Sequence, residues 1–432
     1  MNSFQFSQDQ LDAVNGICDQ LLDPNIKSHV LTVLTGSAGT GKTTVVGELI
    51  SQIAQQSPTT NIALCATTNR AATVLQDIVN GPVVTGYALF KLRPTITKYG
   101  KESITNAGIC DIPKGTVVII DESSMIGNKF LKAIVDIVKE RTLKLVFVGD
   151  PFQLPPPSDI CSIFDGSLST FTLTQVHRQL GGNPVLEKAN EFREYIEGIR
   201  NTEPTLETNI NSKSEGIHVL PHADFVTKFI EKYINYSAGA EVDIPLCTYT
   251  NESAINYNSM VRKAAYFLEN TIEPFYKGER LIANSIVMQG DKTIITNNEI
   301  TYVEDYKEGE LHDIPGYYVT VQGDYNKFTK SRTKIVFSPK TRVAADKVLN
   351  EWKAEAVFNK SKKSWQAYYR IKNSLADLRP PFAGTTHKAQ GGTFPAVFID
   401  KLNINKCKNR TTRARLFYVA LTRASENVYI NS

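Results

Sequence analysis

The string Gly36–Thr43, which reads GSAGTGKT, has the residue types and spacing of a loop that binds phosphate groups. It follows the apolar run Val30–Leu34 and precedes Thr44–Ile50, whose apolar residues have helical spacing. A strand, a glycine-rich turn and a helix start are the setting that such a loop requires, because glycines let successive N–H groups point at phosphate oxygens. The helix N-terminus adds partial positive charge. We therefore predict a nucleotide-binding loop rather than a chance turn.

Individual residues of this loop have separate predicted roles. Lys42 would reach the β- and γ-phosphates of a nucleoside triphosphate, and Thr43 would offer its hydroxyl to Mg²⁺. The expected ligands are therefore ATP and Mg²⁺. The residues predicted to bind the nucleotide on this loop are Gly36, Ser37, Ala38, Gly39, Thr40, Gly41, Lys42, Thr43 and Thr44.

Two further strings place polar side chains where later strands end. The apolar run Val117–Ile120 leads into Asp121 and Glu122, and Leu145–Val148 leads into GDPFQLPPP, which contains Gln153. Parallel α/β sheets bind ligands at the carboxyl ends of their strands. Asp121 would hold the metal, Glu122 would orient and polarise the attacking water, and Gln153 would hydrogen-bond that water or the γ-phosphate. The alternatives are a plain helix start and a proline-rich turn, and the phosphate-binding loop upstream argues against both.

The bulk properties describe an ordinary soluble globular protein of several domains. The chain has 432 residues, of which 41% are hydrophobic and 21% charged, with a formal net charge of +4. That length is too great for one core and predicts about two to four domains. No apolar run approaches the ~18 residues of a membrane span, and no signal peptide is recognisable. We expect no membrane partner.

The cysteines indicate the cell compartment of the protein, and the local charge bears on whether it binds nucleic acid. The six cysteines are scattered without a CxxC pair, which indicates reduced thiols and predicts a cytoplasmic protein. A net charge of +4 is too small to indicate nucleic-acid binding by itself. Two segments are nonetheless basic: Lys406–Arg415, with five basic residues and no acid, and Trp352–Arg379. Each is either a nucleic-acid surface or a solvated basic face.

Six strings occur in the order that superfamily 1 helicases show, and they most resemble the RecD/Dda-like branch of that superfamily. They are GSAGTGKT, IIDESSM, FVGDPFQLPPP, LTQVHRQ, GTTHKAQG and YVALTRA, and the likeness extends from Phe6 to Asn431. Residues from about 270 to 380 match only loosely. The resemblance implies an α/β fold with two RecA-like motor domains. It also implies an ATP-dependent DNA helicase that moves 5′ to 3′ on single-stranded DNA.

The resemblance assigns three more residues to the nucleotide site. Gln10, in the string FSQDQ, would read the edge of adenine, although the same string is also a good helix N-cap. Arg178 and Arg423 would contact the γ-phosphate and stabilise the charge that develops in the transition state. Because Arg423 belongs to the second motor, hydrolysis would be coupled to opening and closing of the two domains. The implied catalytic set is Lys42, Asp121, Glu122, Gln153, Arg178 and Arg423.

The resemblance also implies contacts to DNA from short polar strings at strand ends. Hydroxyls, backbone N–H groups and helix N-termini there would hold phosphates. The implied DNA-binding residues are Thr67, Thr68, Asn69, Thr85, Tyr99, Asn251, Thr385, His387 and Lys388. Two positions depart from the family, since Gly86 stands where histidine is frequent and Gly384 where serine is frequent. For each string, a polar strand end without function is the alternative.

The predicted domain organisation has four segments. Residues 1–180 form the first RecA-like motor, 181–268 and 380–432 form the second, and 269–379 are inserted in it. The first motor carries a β-hairpin insertion at about 91–112, which is either a strand-separating pin or an exposed hairpin without a role. Tyr99 near its tip would stack on the base pair at a fork. The insertion in the second motor combines a small β-barrel with a basic helical arm from Trp352 to Leu378.

The predicted function is a DNA helicase that translocates on single strands and unwinds duplex in phage-type replication, recombination or repair. The main alternative is a DNA-stimulated ATPase or translocase that displaces proteins or loads partners without efficient unwinding. A phosphate-loop kinase would need neither the Arg423 string nor TTHKAQG. The expected partners are single-stranded and forked DNA, single-strand-binding proteins and replication or recombination proteins. We expect the chain to act as a monomer in the cytoplasm, which is the host cytoplasm if a phage encodes it.

Overall fold

Two six-stranded sheets form the framework of the protein. The computed structural model describes residues 6–26, 28–79, 81–97, 102–156, 159–175, 182–234, 245–265, 274–289, 292–323, 332–336 and 339–432. Among the helices in these ranges, none combines the length and the apolar character that a membrane span needs.

The first sheet is built from residues that the sequence assigns to the first motor. Its elements are α1 (Gln8–Leu22), β1 (Val30–Gly36), α2 (Lys42–Gln56), β2 (Ile62–Ala66), α3 (Asn69–Val79), β3 (Val83–Thr85), α4 (Gly86–Leu89), β4 (Leu92–Ile96), β5 (Glu102–Asn106), β6 (Val117–Asp121), α5 (Asn128–Glu140), β7 (Lys144–Gly149) and β8 (Ser169–Leu173). The strand order is β3-β2-β6-β7-β1-β8, and all neighbours are parallel. The carboxyl ends of these strands therefore lie along one edge of the sheet.

The central strand β6 is apolar from Val117 to Ile120 because both of its faces are buried. Val117 and Ile119 pack into the core formed with α1, α2 and α3, whereas Val118 and Ile120 pack against α5 on the opposite face. All four side chains are at most 1% exposed. Each buried side chain of this size stabilises the fold by about 1.5–3 kcal/mol, so the sheet is a rigid base for the strand ends.

The second sheet is assembled from segments on both sides of an insertion. Its first elements are α6 (Pro184–Glu197), β9 (Asn209–Ile210), β10 (Gly216–Leu220), α7 (His222–Ile234), β11 (Leu246–Thr248) and α8 (Asn251–Ala265). The insertion contributes β12 (Arg280–Ala283), β13 (Val287–Gln289), β14 (Lys292–Ile295), β15 (Ile300–Leu311), β16 (Ile314–Gly323), β17 (Arg332–Val336), α9 (Pro339–Asn359), α10 (Lys362–Ser374) and β18 (Leu378–Arg379). The chain then returns through β19 (Ala383–Thr385), α11 (Thr386–Ala389), β20 (Phe394–Ile399), α12 (Lys401–Ile404), α13 (Arg410–Thr422) and β21 (Ala424–Asn431).

The second sheet has the order β19-β11-β20-β21-β10-β9, and only the edge strand β9 is antiparallel to its neighbour. Helix α13 is buried along most of its length, since every residue from Leu416 to Leu421 is at most 2% exposed. It packs against α6 and the sheet within one core. The α/β fold with two RecA-like domains, which the motif strings imply, is therefore confirmed.

The insertion is organised differently from the two motors. Its five-stranded sheet is antiparallel, in the order β17-β16-β15-β12-β18, and β13 and β14 form a separate ribbon. Strands β15 and β16 extend beyond the predicted short runs and meet at a turn where His312 and Asp313 have φ of 54° and 58°. The pairings among the described residues close no ring, so the barrel stays a prediction.

The helical arm and the hairpin also have observed bounds. The arm begins at Pro339 and not at Trp352, so the predicted start was wrong by most of one helix. Proline is favoured in a first helical turn, where its missing N–H has no intrahelical partner. In the hairpin, β4 pairs antiparallel with β5, and the pair contacts α5 and α10. Tyr99 and the predicted boundaries at 180–181 and 268–269 lie outside the described residues.

Candidate nucleotide site and motor cleft

The phosphate loop lies between the end of β1 and the start of α2. Gly39 and Gly41 have φ of 85° and 78°, in the left-handed region that glycine adopts without strain. A Cβ on Gly41 would lie 2.6 Å from Nε2 of Gln10, so a larger residue here would displace that amide from its bond to Thr40. The two glycines thus allow the loop to turn tightly against α1.

Side chains within the loop are directed at its own backbone. Nζ of Lys42 donates to the carbonyls of Gly36 and Ser37 at 2.8 and 2.9 Å. The Thr40 hydroxyl donates to the Ser37 carbonyl at 2.9 Å. The Ser37 hydroxyl is buried and has no hydrogen-bond partner among the described residues. An unsatisfied buried hydroxyl costs about 1–3 kcal/mol, and a phosphate oxygen held by the loop is an acceptor that would satisfy it.

Gln10 joins the start of α1 to the phosphate loop. It is fully buried, and its Nε2 donates to the Thr40 carbonyl at 3.0 Å. Its Oε1 accepts the N–H of Ser7 at 3.0 Å, which completes a capping box at the helix start. Both the predicted cap and the placement beside the loop are therefore present. The second hydrogen of the amide is the one that could meet adenine.

The acidic pair lies at the carboxyl end of β6, in line with the loop. An Asp121 carboxylate oxygen accepts the N–H of Glu122 at 2.8 Å. Burial, followed by the neighbouring charge of Glu122, raises the pKa of Asp121 to about 7. Glu122 has φ of 52°, which is uncommon for a residue with a Cβ and marks local strain of the kind found at functional sites.

The residues present fit a Mg²⁺ ion. Asp121 supplies a carboxylate and Thr43 a hydroxyl, which are the oxygen ligands that Mg²⁺ accepts together with water and phosphate. The positive charge of Lys42 acts on Asp121 and opposes the rise in its pKa. A cation beside Asp121 would favour the charged carboxylate in the same way.

Tyr418 of α13 enters the first motor from the second. Its hydroxyl donates to Oδ2 of Asp150 at 2.6 Å and accepts the N–H of Ala38, in the phosphate loop, at 3.2 Å. The other oxygen of Asp150 accepts the N–H of Phe152 at 2.9 Å. The turn that follows β7 is therefore connected to the phosphate loop through a side chain of the other motor.

Two more side chains of the second motor hold the same turn. Nη1 of Arg415 donates to the carbonyls of Pro151 and Gln153 at 2.6 and 2.5 Å. Nε2 of Gln390 donates to the Gln153 side chain and to the Leu154 carbonyl, both at 3.3 Å. Gln153, predicted to act on the γ-phosphate or the water, is 4% exposed and is thus positioned from the second motor.

Sequence reasoning did not single out Tyr418, Arg415 or Gln390. The first and last belong to the strings YVALTRA and GTTHKAQG, but a string does not reveal how far a side chain reaches. Arg415 belongs to the basic run Lys406–Arg415, in which Arg413 also pairs with Glu203. Part of that run is therefore used inside the protein rather than as a basic surface.

Arg423, at the end of α13, bonds within its own motor. It is 5% exposed, and its guanidinium donates to the carbonyls of Gly392 and Val419 at 3.1 and 3.3 Å and to the Thr422 hydroxyl at 3.2 Å. Its charge acts on Tyr418, which places it beside the cleft. Arg178 lies outside the described residues.

Two of the predicted DNA-binding residues cap helices. The Thr68 hydroxyl accepts the N–H of Ala71 at the start of α3, at 3.2 Å. The Thr85 hydroxyl accepts the N–H of Ala88 at the start of α4, at 3.3 Å. Each cap satisfies one N–H at a helix N-terminus, where the partial positive charge of the helix favours a phosphate.

Two others connect the first motor to its surroundings. The Thr67 hydroxyl donates to the carbonyl of Glu122 at 3.2 Å, so the end of β2 is bonded directly to the acidic pair. The exposed Asn69 donates to the carbonyl of Asn297, in the insertion, at 3.3 Å. The predicted DNA side is thus in contact with both the catalytic residues and the insertion.

The corresponding residues of the second motor lie beside the insertion. Nζ of Lys388 donates to the carbonyl of Asn284 at 3.3 Å and also to its side chain. Burial, followed by the charge of Arg379, lowers the pKa of Lys388 to about 8. The exposed Asn251 accepts from Arg379 at 3.3 Å. Lys388 therefore anchors α11 to the insertion.

Thr385 and His387 complete this group. Thr385 is the N-cap residue of α11, with an extended backbone. His387 follows it in the first turn, and burial lowers its pKa, which favours the neutral ring. Both are half-buried at the same sheet edge as Asn251.

Comparison with known proteins gives two family matches. Residues 5–220, half of the chain, match the family described as AAA domain, and residues 381–431 match the UvrD-like helicase C-terminal domain. An uncharacterised protein of Acanthamoeba polyphaga mimivirus is 21% identical over 94% of this chain and 96% of its own length. The RecBCD enzyme subunit RecD of Mycolicibacterium smegmatis is 34% identical, over 29% of this chain and 26% of that protein. The crystal structure of Pif1 helicase from Candida albicans is 16% identical and covers 99% of this chain and 94% of that one, with a TM-score of 0.48.

Proposed function

The chain belongs to the superfamily 1 helicases of the RecD-like type, and from that premise we propose that it is an ATP-driven, Mg²⁺-dependent DNA helicase that translocates 5′ to 3′ on single strands. The AAA domain match over residues 5–220 supports nucleotide use. The helicase C-terminal domain over residues 381–431 supports a second motor that completes the site. The direction rests on the resemblance of the motif strings alone.

The observation that carries the proposal is the set of bonds across the cleft. Tyr418 and Arg415 of the second motor bond to the phosphate loop and to the turn after β7 in the first. Because both motors contact the same few residues, a change at the γ-phosphate alters the contacts that hold the motors together. Nucleotide binding and hydrolysis can therefore drive opening and closing of the cleft, which is the motion that a translocating motor needs.

The proposed chemistry uses the side chains assigned to the nucleotide site. Lys42 binds the β- and γ-phosphates, and Glu122 accepts a proton from the attacking water. Arg423 and Arg178 stabilise the charge of the transferred phosphoryl group. Thr43 and Asp121 would hold Mg²⁺, which would supply positive charge against the phosphates.

DNA would lie along the strand ends of both sheets. Thr67, Thr68 and Thr85 of the first motor lie at one sheet edge, and Asn251 and Thr385 of the second motor lie at the other. Hydroxyls and helix N-termini bind phosphates without reading base sequence, so a single strand could be held and released stepwise by the two motors. The Thr67 bond to Glu122 gives such binding a direct route to the catalytic residues.

The biological setting remains part of the proposal. Replication, recombination or repair in a cytoplasm, the host cytoplasm if a phage encodes the chain, would supply forked DNA and single-strand-binding proteins as partners. We expect a monomer to suffice, because both motors and all the residues assigned to the site belong to one chain. The rival is a DNA-stimulated ATPase or translocase that displaces proteins or loads partners without efficient unwinding.

The deciding experiment compares ATP hydrolysis and strand separation. We expect single-stranded DNA to stimulate the ATPase, and forks with a 5′ tail to be unwound in preference to forks with a 3′ tail. Lys42→Ala is the control, because it removes phosphate binding and should lose both activities. Stimulated ATPase without unwinding of either fork would favour the rival. An ATP hydrolysis rate that is the same with and without single-stranded DNA would reject the helicase proposal.

A further inference from the structure

The position of Tyr418, in the second motor but bonded to the first, indicates a role in the cleft between them. It is 1% exposed in α13 of the second motor, yet its hydroxyl bonds two groups of the first. The hydroxyl gives its one hydrogen to Asp150 at 2.6 Å and accepts the N–H of Ala38 at 3.2 Å. Its donor and acceptor capacities are thus divided between the turn after β7 and the phosphate loop.

We propose that Tyr418 is a positioning residue for ATP hydrolysis, whose hydroxyl ties the phosphate loop to the Asp150 turn and thereby places Gln153. Gln153 would then take its position against the γ-phosphate only while the second motor is docked. The inference rests on the proposed function and adds the contact through which one motor sets the hydrolysis rate of the other.

The bond to Asp150 is the stronger half of this contact. Asp150 is fully buried, and one of its oxygens is occupied by the N–H of Phe152 at 2.9 Å. Among the described residues, Tyr418 is the hydrogen-bond donor to the other oxygen. Burial and the charge of Asp150 raise the pKa of Tyr418 well above its usual range, which keeps the hydroxyl protonated as a donor. A buried carboxylate that lost this donor would carry a large desolvation cost.

The geometry of the turn transmits this bond to Gln153. The N–H of Gln153 donates to the carbonyl of Asp150 at 3.2 Å, so the two residues move together. Arg415 fixes the carbonyl of Gln153 from the same helix that carries Tyr418. A shift of α13, or of the phosphate loop at Ala38, therefore displaces Gln153. This is how a change at the γ-phosphate would reach the second motor.

The test is a double-mutant cycle of Tyr418→Phe and Asp150→Asn in the full chain, with kcat and KM measured for ATP hydrolysis on single-stranded DNA. Tyr418→Phe keeps the ring and removes the hydroxyl. We expect kcat to fall about 10- to 100-fold, the loss of a hydrogen bond to a charged group, while KM for ATP stays close to wild type. Asp150→Asn should act similarly, because the Phe152 N–H holds the amide oxygen: the Tyr418 hydrogen then loses its acceptor, and the NH₂ competes with the Ala38 N–H for the Tyr418 oxygen. The double variant should lose no more than either single one.

Tyr257→Phe is the matched control. Tyr257 is also buried, at 4% exposed, and its hydroxyl bonds Asp400 within the second motor's own core. We expect Tyr257→Phe to lower the melting temperature without lowering kcat. If Tyr418 had only a structural role, Tyr418→Phe would do the same.

The outcomes separate this inference from the proposed function. Wild-type kcat in Tyr418→Phe, or additive losses in the cycle, would overturn the inference. If Tyr418→Phe does not fold, Asp150→Asn decides alone, and an unchanged kcat there overturns it too. If single-stranded DNA does not stimulate the ATPase of the wild-type chain, the proposed function is rejected instead.

Discussion

The nucleotide cleft and the proposed DNA side are built at the same sheet edges but are bonded in different ways. In the cleft, side chains bond groups in distant parts of the chain, since the Tyr418 hydroxyl donates to Asp150 and the Arg415 guanidinium donates to the Gln153 carbonyl. On the DNA side, Thr68 and Thr85 cap their own helices. The cleft is therefore organised by contacts between the motors. The DNA side is held instead by these local caps and by bonds from Asn69 and Lys388 to the insertion.

This difference has a functional consequence. Substitutions in the cleft should lower ATP turnover with or without DNA, because they disturb groups that act on the nucleotide. Substitutions on the DNA side should spare turnover without DNA and lower only its stimulation or its use for unwinding. Four substitutions test this contrast, from the largest expected effect to the smallest.

Arg423→Ala should give the largest loss. The buried guanidinium is an assigned γ-phosphate contact, and an arginine of this kind contributes about 10³-fold or more to kcat. We expect that loss in single-turnover ATP hydrolysis, with ATP affinity much less affected. Arg178→Ala should behave alike.

Arg423→Lys is the matched control, because it keeps the charge but not the fork of donors that bonds Gly392 and Thr422. Normal turnover in Arg423→Ala with saturating DNA would give Arg423 a structural role only. A lysine variant as poor as alanine would point to the fork rather than the charge.

Glu122→Gln should rank second. The amide has nearly the same shape but cannot accept a proton, and loss of a general base costs about 10²- to 10⁴-fold in rate. Binding of ATP and DNA should persist, as measured by fluorescent nucleotide titration and DNA anisotropy. Lys42→Ala should instead weaken nucleotide binding and turnover together. Near-wild-type hydrolysis in Glu122→Gln would remove Glu122 from the role of base.

The positions of these cleft residues follow from short strings because each string sits at the end of a buried apolar run. Strands β1, β6 and β7 end at Gly36, Asp121 and Gly149, close to where the runs of branched residues stop. Only the folded chain reveals Tyr418 and Arg415 as cross-motor contacts. Their bonds join residues more than 260 positions apart, and no local pattern encodes which buried side chain reaches the other motor.

The insertion was harder to predict for a related reason. The run Glu304–Glu310 is charged and lacks alternation, so it resembles a loop, yet it continues β15 in pairing with β16. Long-range pairing across the tight turn at His312 and Asp313 determines that structure. Helix propensity also did not predict that the arm starts at Pro339, because this residue closely follows a strand-like segment of the sequence.

Tyr99→Ala tests whether the DNA side can fail while the cleft works. A stack between an aromatic ring and a base is worth about 1–3 kcal/mol, comparable to the stacking that it would replace at one base-pair step. Duplex separation should slow, while DNA-stimulated ATPase and single-strand translocation remain. All three are measured on one preparation with a forked duplex and a translocation reporter. Unimpaired unwinding would make Tyr99 an exposed turn residue, and equal loss of all three would indicate a folding defect.

Thr67 is the contact where the two regions meet, and its substitution should give the smallest effect. The hydroxyl donates to the Glu122 carbonyl at 3.2 Å, and one neutral hydrogen bond contributes about 0.5–1.5 kcal/mol, or roughly 2- to 12-fold. Thr67→Val keeps the shape and removes the donor, so stimulation by single-stranded DNA should fall by that factor while turnover without DNA is unchanged. Thr67→Ser keeps the hydroxyl and should retain stimulation. Equal loss of both rates in Thr67→Val would place Thr67 in the cleft, because the bond would then position Glu122 whether or not DNA is present. Full stimulation in Thr67→Val would mean that DNA reaches the catalytic residues by another route, such as the motion of α13.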